Sequence, residues 1–91
     1  MSGRRVEIVI SGVVQGVGFR YFAYRVAHEL GVVGWVCNLP DGRVQVVAEG
    51  DSAQLEALVQ EMKVGPRHAS IRNVALRWSE AEGKLTTFNI Q

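Results

Sequence analysis

The chain has 91 residues, which is the size of one domain. Hydrophobic residues make up 47% and charged residues 21%, proportions that are ordinary for a soluble globular domain. Ten basic against nine acidic residues give a net charge of +1, which argues against a protein dedicated to nucleic acid or to membrane surfaces. The one cysteine, Cys37, allows no internal disulfide, and no apolar run has the length of a signal peptide or a membrane span. We therefore expect a single cytoplasmic domain over residues 1–91.

The first half of the chain predicts two strands and a helix, followed by a turn into a third strand. Val6, Ile8 and Ile10 alternate along the chain as in a strand. Apolar residues then recur at helical spacing over residues 21–30, and Gly31 is a suitable stop. Residues 34–39 and 44–48 predict strands that are joined at a Pro-Asp-Gly turn over residues 40–42.

The second half predicts one more helix and two more strands. Asp51 or Ser52 caps a helix with an apolar face made of Leu55, Leu58, Val59 and Met62. Alternation over residues 74–78 predicts a fourth strand, and residues 85–90 predict a short last one. The order β-α-β-β-α-β with a short terminal strand is that of an α+β, ferredoxin-like split β-α-β sandwich, in which an antiparallel sheet carries two helices on one face.

A glycine-bearing segment between the first strand and the first helix is the strongest candidate for an anion site. Its residues are Gln15, Gly16, Val17, Gly18, Phe19 and Arg20. Glycines allow successive N–H groups to point at one position, and the helix adds its own unpaired N–H groups and positive dipole end. The Arg20 guanidinium can bind two phosphate oxygens at once. The spacing matches neither of the common nucleotide-binding glycine motifs, so the spacing alone leaves a phosphate site and an ordinary turn equally open.

Two polar residues near the predicted hairpin have competing interpretations. Asn38 is either a turn residue, which is the commoner use, or an amide that holds a water molecule or a substrate oxygen. Cys37 and Arg43 have the spacing of thiol-dependent phosphatases, but that chemistry needs a loop running from a strand into a helix. Because the chain continues here as a strand, we expect Cys37 to be a small apolar side chain. Neither His28 nor His68 has a partner at metal-ligand spacing, so no metal site is predicted.

Three segments together resemble the acylphosphatase family: residues 12–20, Gly34-Trp35-Val36-Cys37-Asn38 and Asp41-Gly42-Arg43-Val44. The resemblance runs from residue 6 to residue 88. It implies an enzyme that hydrolyses a carboxyl–phosphate anhydride to a carboxylate and inorganic phosphate, without metal or cofactor. It also implies that Arg20 holds the phosphate, that the main-chain N–H groups of residues 15–20 form a cradle around it, and that Asn38 orients the attacking water.

Three other interpretations remain beside this one. The same fold hosts RNA-binding modules, but residues 43–47 of the third strand contain no aromatic residue that could stack on a base. An acylphosphatase-like domain also occurs in a larger carbamoyl-transfer enzyme of hydrogenase maturation, although the length and initial methionine favour a free-standing enzyme. A catalytically silent anion sensor is the third, and Arg20 and Asn38 argue against it. We expect a monomer that acts on a small-molecule acyl phosphate and binds neither nucleic acid nor membranes; the physiological acyl phosphate stays open.

Overall fold

A computed structural model describes residues 3–91 of the chain as five strands and two helices. The strands are β1 (Arg4–Val13), β2 (Val33–Asn38), β3 (Val44–Gly50), β4 (Ser70–Glu80) and β5 (Phe88–Ile90), and the helices are α1 (Phe19–Leu30) and α2 (Ser52–Val64). Within residues 3–91, neither helix has the length and apolar character needed to span a membrane.

The strands form one sheet in the order β4-β1-β3-β2-β5, which confirms the predicted ferredoxin-like fold. One detail of the prediction is wrong, because the sheet is mixed rather than antiparallel throughout. β5 runs parallel to β2, with Gly34 opposite Phe88 and Val36 opposite Ile90. The cause lies in the path of the chain. β4 is antiparallel to β1, so it finishes at the end of the sheet where β2 begins. β5 starts from that same end, beside β2, and therefore runs in the same direction as β2.

The core lies between one face of the sheet and both helices. In the middle of β1, every second residue is fully buried there, as the alternation predicts: Val6, Ile8 and Ile10. The helices contribute the predicted stripes, Ala23, Val26 and Ala27 from α1 and Leu55, Leu58, Val59 and Met62 from α2, together with Phe19 at the first position of α1. Burying a side chain of leucine or isoleucine size contributes about 1.5–3 kcal/mol, so this shared core stabilises the position of α1 on the sheet.

The two helices begin in different ways. Asp51 caps α2 as predicted, because its carboxylate accepts the N–H of Gln54 at 2.8 Å while the Gln54 side chain accepts the N–H of Asp51 at 3.0 Å. α1 begins at Phe19, two residues before the predicted start, and its N-cap is Gly18. Glycine offers no side-chain oxygen to the first turn, so this helix start has no capping signature in the sequence.

The face of the sheet that carries no helix is polar and is organised around Glu49. The Glu49 side chain is 5% exposed and accepts a hydrogen bond from Arg5 Nη1 at 2.7 Å. It also accepts the main-chain N–H groups of Glu82 and Gly83 at 3.0 and 3.2 Å. Burial acts to raise the pKa of Glu49, but the N–H of Glu82, the guanidinium of Arg5 and the N–H of Gly83 together hold the pKa below its ordinary value. Glu49 therefore ties the segment between β4 and β5 to the sheet.

Candidate active site

A cleft of about 260 Å³ opens where α1 begins and where β2 and β5 end. Four segments contribute to its wall: the loop after β1, the first turn of α1, the end of β2 and the end of β5. The lining residues are Val14, Gly16, Gly18, Phe19, Arg20, Tyr21, Asn38 and Ile90. Val14 and Phe19 are buried, whereas the two glycines, Arg20 and Asn38 are exposed. The cleft thus brings together most of the site residues predicted from the sequence.

Two glycines give the loop its path. Gly16 and Gly18 have φ angles of 76° and 80°, which lie in the left-handed region that other residues rarely adopt. A Cβ atom at either position would meet no other atom within 4 Å, so the backbone conformation, rather than lack of space, requires glycine. The first turn of α1 has neither a side-chain cap nor an acidic residue. Its unpaired N–H groups and the positive end of the helix dipole therefore make this end of the cleft favourable for an anion.

Arg20 brings a positive charge into the cleft. Its Nη1 donates a hydrogen bond to the main-chain carbonyl oxygen of Gln91 at 3.2 Å, which holds the guanidinium between α1 and the end of β5. None of the ion pairs among residues 3–91 involves Arg20. Because a guanidinium has five N–H donors in a planar fork, donors remain for the paired oxygens of a phosphate.

Gln15 and Val17 belong to the same loop but do not line the cleft. The Gln15 side chain instead donates through Nε2 to the carbonyl oxygens of Leu39 and Arg43 at 2.8 and 2.9 Å. These two bonds join the loop after β1 to the turn between β2 and β3. Val17 is partly buried against the core. Both residues therefore hold the loop in place, whatever their main-chain N–H groups contribute.

Asn38 is the last residue of β2 and lies on the same face of the strand as buried Val36. The polar side chain that stabilises the following turn is Asp41, which accepts the main-chain N–H of Arg43 at 3.1 Å and its Nε–H at 2.7 Å. These two contacts, the first of them foremost, hold the pKa of Asp41 below its ordinary value against the opposing effect of desolvation. Among residues 3–91, the Asn38 side chain has no such partner, so it is available to a molecule in the cleft.

The structure separates the two parts of a thiol-dependent site. Cys37 is half-buried on the opposite face of β2 from Asn38, and its Sγ lies 3.5 Å from Oε1 of Gln45. Arg43 is paired with Asp41. The thiol therefore faces away from the cleft, and the Arg43 guanidinium is occupied elsewhere.

Two residues that the sequence analysis did not single out also line the cleft. Tyr21 is 63% exposed and Ile90 is 42% exposed. Tyr21 lies just before the apolar stripe of α1. An aromatic residue outside the core-facing side of the helix was therefore the feature of the sequence that could have identified it. Ile90 lies on the same face of β5 as Phe88, but only Phe88 is buried.

The comparisons with known proteins agree with this geometry. The sequence profile of the acylphosphatase family matches residues 6–90. An acylphosphatase of Archaeoglobus fulgidus is 51% identical over 85% of this chain and 86% of its own, and one of Chlorobaculum tepidum is 40% identical over 99% and 98%. The crystal structure of an acylphosphatase from Bacillus subtilis superposes with a TM-score of 0.94 at 34% identity, covering 97% of this chain and 98% of that one. The chain therefore belongs to the acylphosphatase family, a family of hydrolases that act on acyl phosphates.

Proposed function

We propose that the cleft hydrolyses a carboxyl–phosphate anhydride by direct attack of water on a phosphate that Arg20 and the N–H groups of residues 15–20 hold in place. The phosphate carries the negative charge of the substrate, and the cleft offers a guanidinium that no Asp or Glu side chain among residues 3–91 pairs with, beside an uncapped helix start. Phosphoryl transfer passes through a loose transition state with charge on the phosphate oxygens, so fixed donors stabilise it directly.

The leaving group explains why so few side chains suffice. A carboxylate is the conjugate base of an acid with a pKa of about 4, so it departs without a proton donor. The oxygen of water forms a bond to phosphorus, the bridging P–O bond breaks with its electron pair going to the carboxylate, and the water proton passes to a phosphate oxygen. In this step Asn38 positions the water, because an amide can orient a water molecule but cannot take up its proton.

One observation carries the proposal. Arg20, the glycine loop and Asn38 come from α1, the segment after β1 and the end of β2, and they line one cleft. The side-chain hydrogen bonds that stabilise the turn between β2 and β3 are made by Asp41 and Gln15. This leaves the Asn38 amide free for a ligand.

The test measures the hydrolysis of benzoyl phosphate in an excess of chelator by the wild type, Asn38→Ala and a matched control, Asn73→Ala. Asn73 is an exposed asparagine on β4, in the strand at the far edge of the sheet from β5. We expect turnover by the wild type and by Asn73→Ala, and a loss of about a hundredfold in folded Asn38→Ala.

Each other result has a defined meaning. A folded wild type that releases no phosphate, with or without chelator, would overturn the proposed function and leave anion binding without chemistry. Turnover that disappears only with chelator would refute the metal-free mechanism. Full activity of Asn38→Ala would contradict the role of Asn38 in positioning the water.

A further inference from the structure

Besides its polar end, the cleft has two exposed apolar side chains on its wall. Tyr21 and Ile90 present apolar surface on its wall, and neither belongs to the buried core or to the side chains packed against it. Single exposed apolar residues are common and need no explanation. Here two of the five large hydrophobic side chains that are most exposed among residues 3–91 lie in the same cleft of about 260 Å³.

The Tyr21 ring has a fixed neighbour. It stacks on the ring of Tyr24, with centroids 6.3 Å apart and an interplanar angle of 23°. Tyr24 is itself partly buried against the core and lies 4.4 Å, centroid to centroid, from the ring of His28. An aromatic side chain that is oriented before a ligand arrives loses little entropy on binding, so Tyr21 is a suitable surface for an apolar group.

Ile90 lines the cleft from β5, whereas Tyr21 lines it from α1. Its strand pairs with β2, where Ile90 is opposite Val36, and the next residue, Gln91, accepts the hydrogen bond from Arg20. The contact that holds the Arg20 guanidinium thus also places Ile90 beside the phosphate end of the cleft.

From these positions we propose that Tyr21 and Ile90 bind the acyl group of the substrate, so that the enzyme favours acyl phosphates with an aromatic or other large apolar acyl group. This inference rests on the proposed function. With the phosphate held by Arg20 and the loop, the acyl group extends along the rest of the cleft wall. An acetyl group offers one methyl to Tyr21 and Ile90, whereas an aromatic acyl group covers both side chains.

The experiment compares kcat/KM for benzoyl phosphate and acetyl phosphate in the wild type, Tyr21→Ala, Ile90→Ala and Tyr21→Phe. Because the two substrates differ in intrinsic reactivity, the informative quantity is the change of their ratio on substitution. We expect each alanine variant to lower the benzoyl-to-acetyl ratio by about tenfold, mainly through the KM for benzoyl phosphate. Tyr21→Phe retains the ring and is expected to keep the wild-type ratio.

Two controls separate the acyl contact from other effects. Val64→Ala removes an exposed apolar side chain at the end of α2, outside the cleft, and should leave the ratio unchanged. Inhibition by inorganic phosphate reports the phosphate end alone, and its constant should be the same in Tyr21→Ala, Ile90→Ala and the wild type.

The outcomes distinguish this inference from the function beneath it. If the wild type hydrolyses both substrates but either alanine variant keeps the wild-type ratio, the acyl contact is wrong and the proposed function stands. A weaker inhibition by phosphate that accounts for the whole loss would also overturn the contact, since the damage would then lie at the phosphate end. If a folded wild type hydrolyses neither substrate, the proposed function itself fails.

Discussion

At the scale of single residues, the site depends on what each polar side chain is already bonded to. The carboxylates of Glu7, Asp41 and Glu49 are all engaged by arginines on the surface. Arg20 instead contacts the main-chain oxygen of Gln91, and no Asp or Glu side chain among residues 3–91 pairs with it. We propose that this guanidinium binds the phosphate, and a substitution that keeps its charge but changes its shape tests that proposal.

Replacing Arg20 with lysine should lower kcat/KM for an acyl phosphate by about a hundredfold or more while the protein stays folded. An ammonium keeps the charge but cannot bind two phosphate oxygens in a planar fork. Arg25→Lys is the matched control, because Arg25 is also an exposed arginine on α1 but does not line the cleft. Steady-state kinetics with circular dichroism to verify folding would decide, and near-normal turnover by Arg20→Lys would contradict the role.

For Cys37, the neighbour of Asn38, we expect a substitution to leave the activity unchanged. Cys37→Ser should keep wild-type kcat and KM, because the Cys37 side chain lies on the face of β2 opposite Asn38 and contacts Gln45 instead of the cleft. Kinetics of this variant beside Asn38→Ala compare two adjacent residues of one strand on opposite faces. A folded but inactive Cys37→Ser protein would restore the thiol mechanism.

At the scale of elements, two glycines perform different tasks. Gly18 needs a positive φ at the start of α1 but has open space around it. Gly34 lies within β2 between β3 and β5, and a Cβ atom there would be 1.9 Å from the carbonyl oxygen of Val47. The first glycine sets the path of the loop into α1, whereas the second allows two strands to approach.

Alanine substitutions should therefore differ strongly in stability. Gly18→Ala is expected to lower the free energy of unfolding by about 1–2 kcal/mol, the strain of one unfavourable backbone conformation. Gly34→Ala should cost more than about 4 kcal/mol or prevent folding, because a strand with partners on both sides cannot shift away from a main-chain oxygen. Urea unfolding of both variants measures this, and equal losses would contradict the steric origin.

Elements and site differ in how far the sequence predicts them. Periodicity identifies both helices and all five strands, since each buries one face in the same core. It shortens β4, whose ends are largely exposed, and lengthens β5, which begins only at Phe88. The parallel pairing of β5 with β2 and the presence of Tyr21 and Ile90 in one cleft depend on the order of the strands in the sheet. Local sequence patterns do not determine that order. The residue types and their spacing made Arg20 and Asn38 candidates but also fit an ordinary loop and turn, so the resemblance to the family was needed to choose the functional interpretation.

At the scale of the whole molecule, Glu49 links opposite ends of the chain. It lies on β3, binds Arg5 of β1 and holds the segment that leads from β4 to β5. β5 carries Ile90, which lines the cleft, and leads into Gln91, whose main-chain oxygen accepts the hydrogen bond from Arg20. We therefore infer that this carboxylate on one face of the sheet helps to place the chain that lines the cleft.

The stability of the protein should depend on pH through Glu49. Because the folded-state pKa of Glu49 is lowered, its contribution is fully present above the unfolded pKa of about 4.3 and is lost as the pH falls through the lower folded value. Glu49→Gln should lower the free energy of unfolding by about 1–3 kcal/mol at pH 7, and the difference from the wild type should shrink below about pH 4. Thermal unfolding across this range tests it.

Glu56→Gln serves as the control for this experiment, because Glu56 is an exposed glutamate on α2. This substitution should leave the free energy of unfolding unchanged at every pH. A Glu49→Gln variant whose deficit persisted unchanged at pH 3 would show that the packing of the side chain matters instead of its charge.

The strand order has a consequence for the rate of folding. Only β2 and β3 are neighbours both in the sheet and along the chain, and they are joined by a short turn. The other pairings, such as that of Val6 in β1 with Trp78 in β4, join segments that lie far apart in the sequence. Each such pairing requires a long loop to close before its contacts can stabilise it. For a domain of this size we therefore expect slow folding, on the order of milliseconds to seconds, with the barrier set by the arrival of β4 at β1.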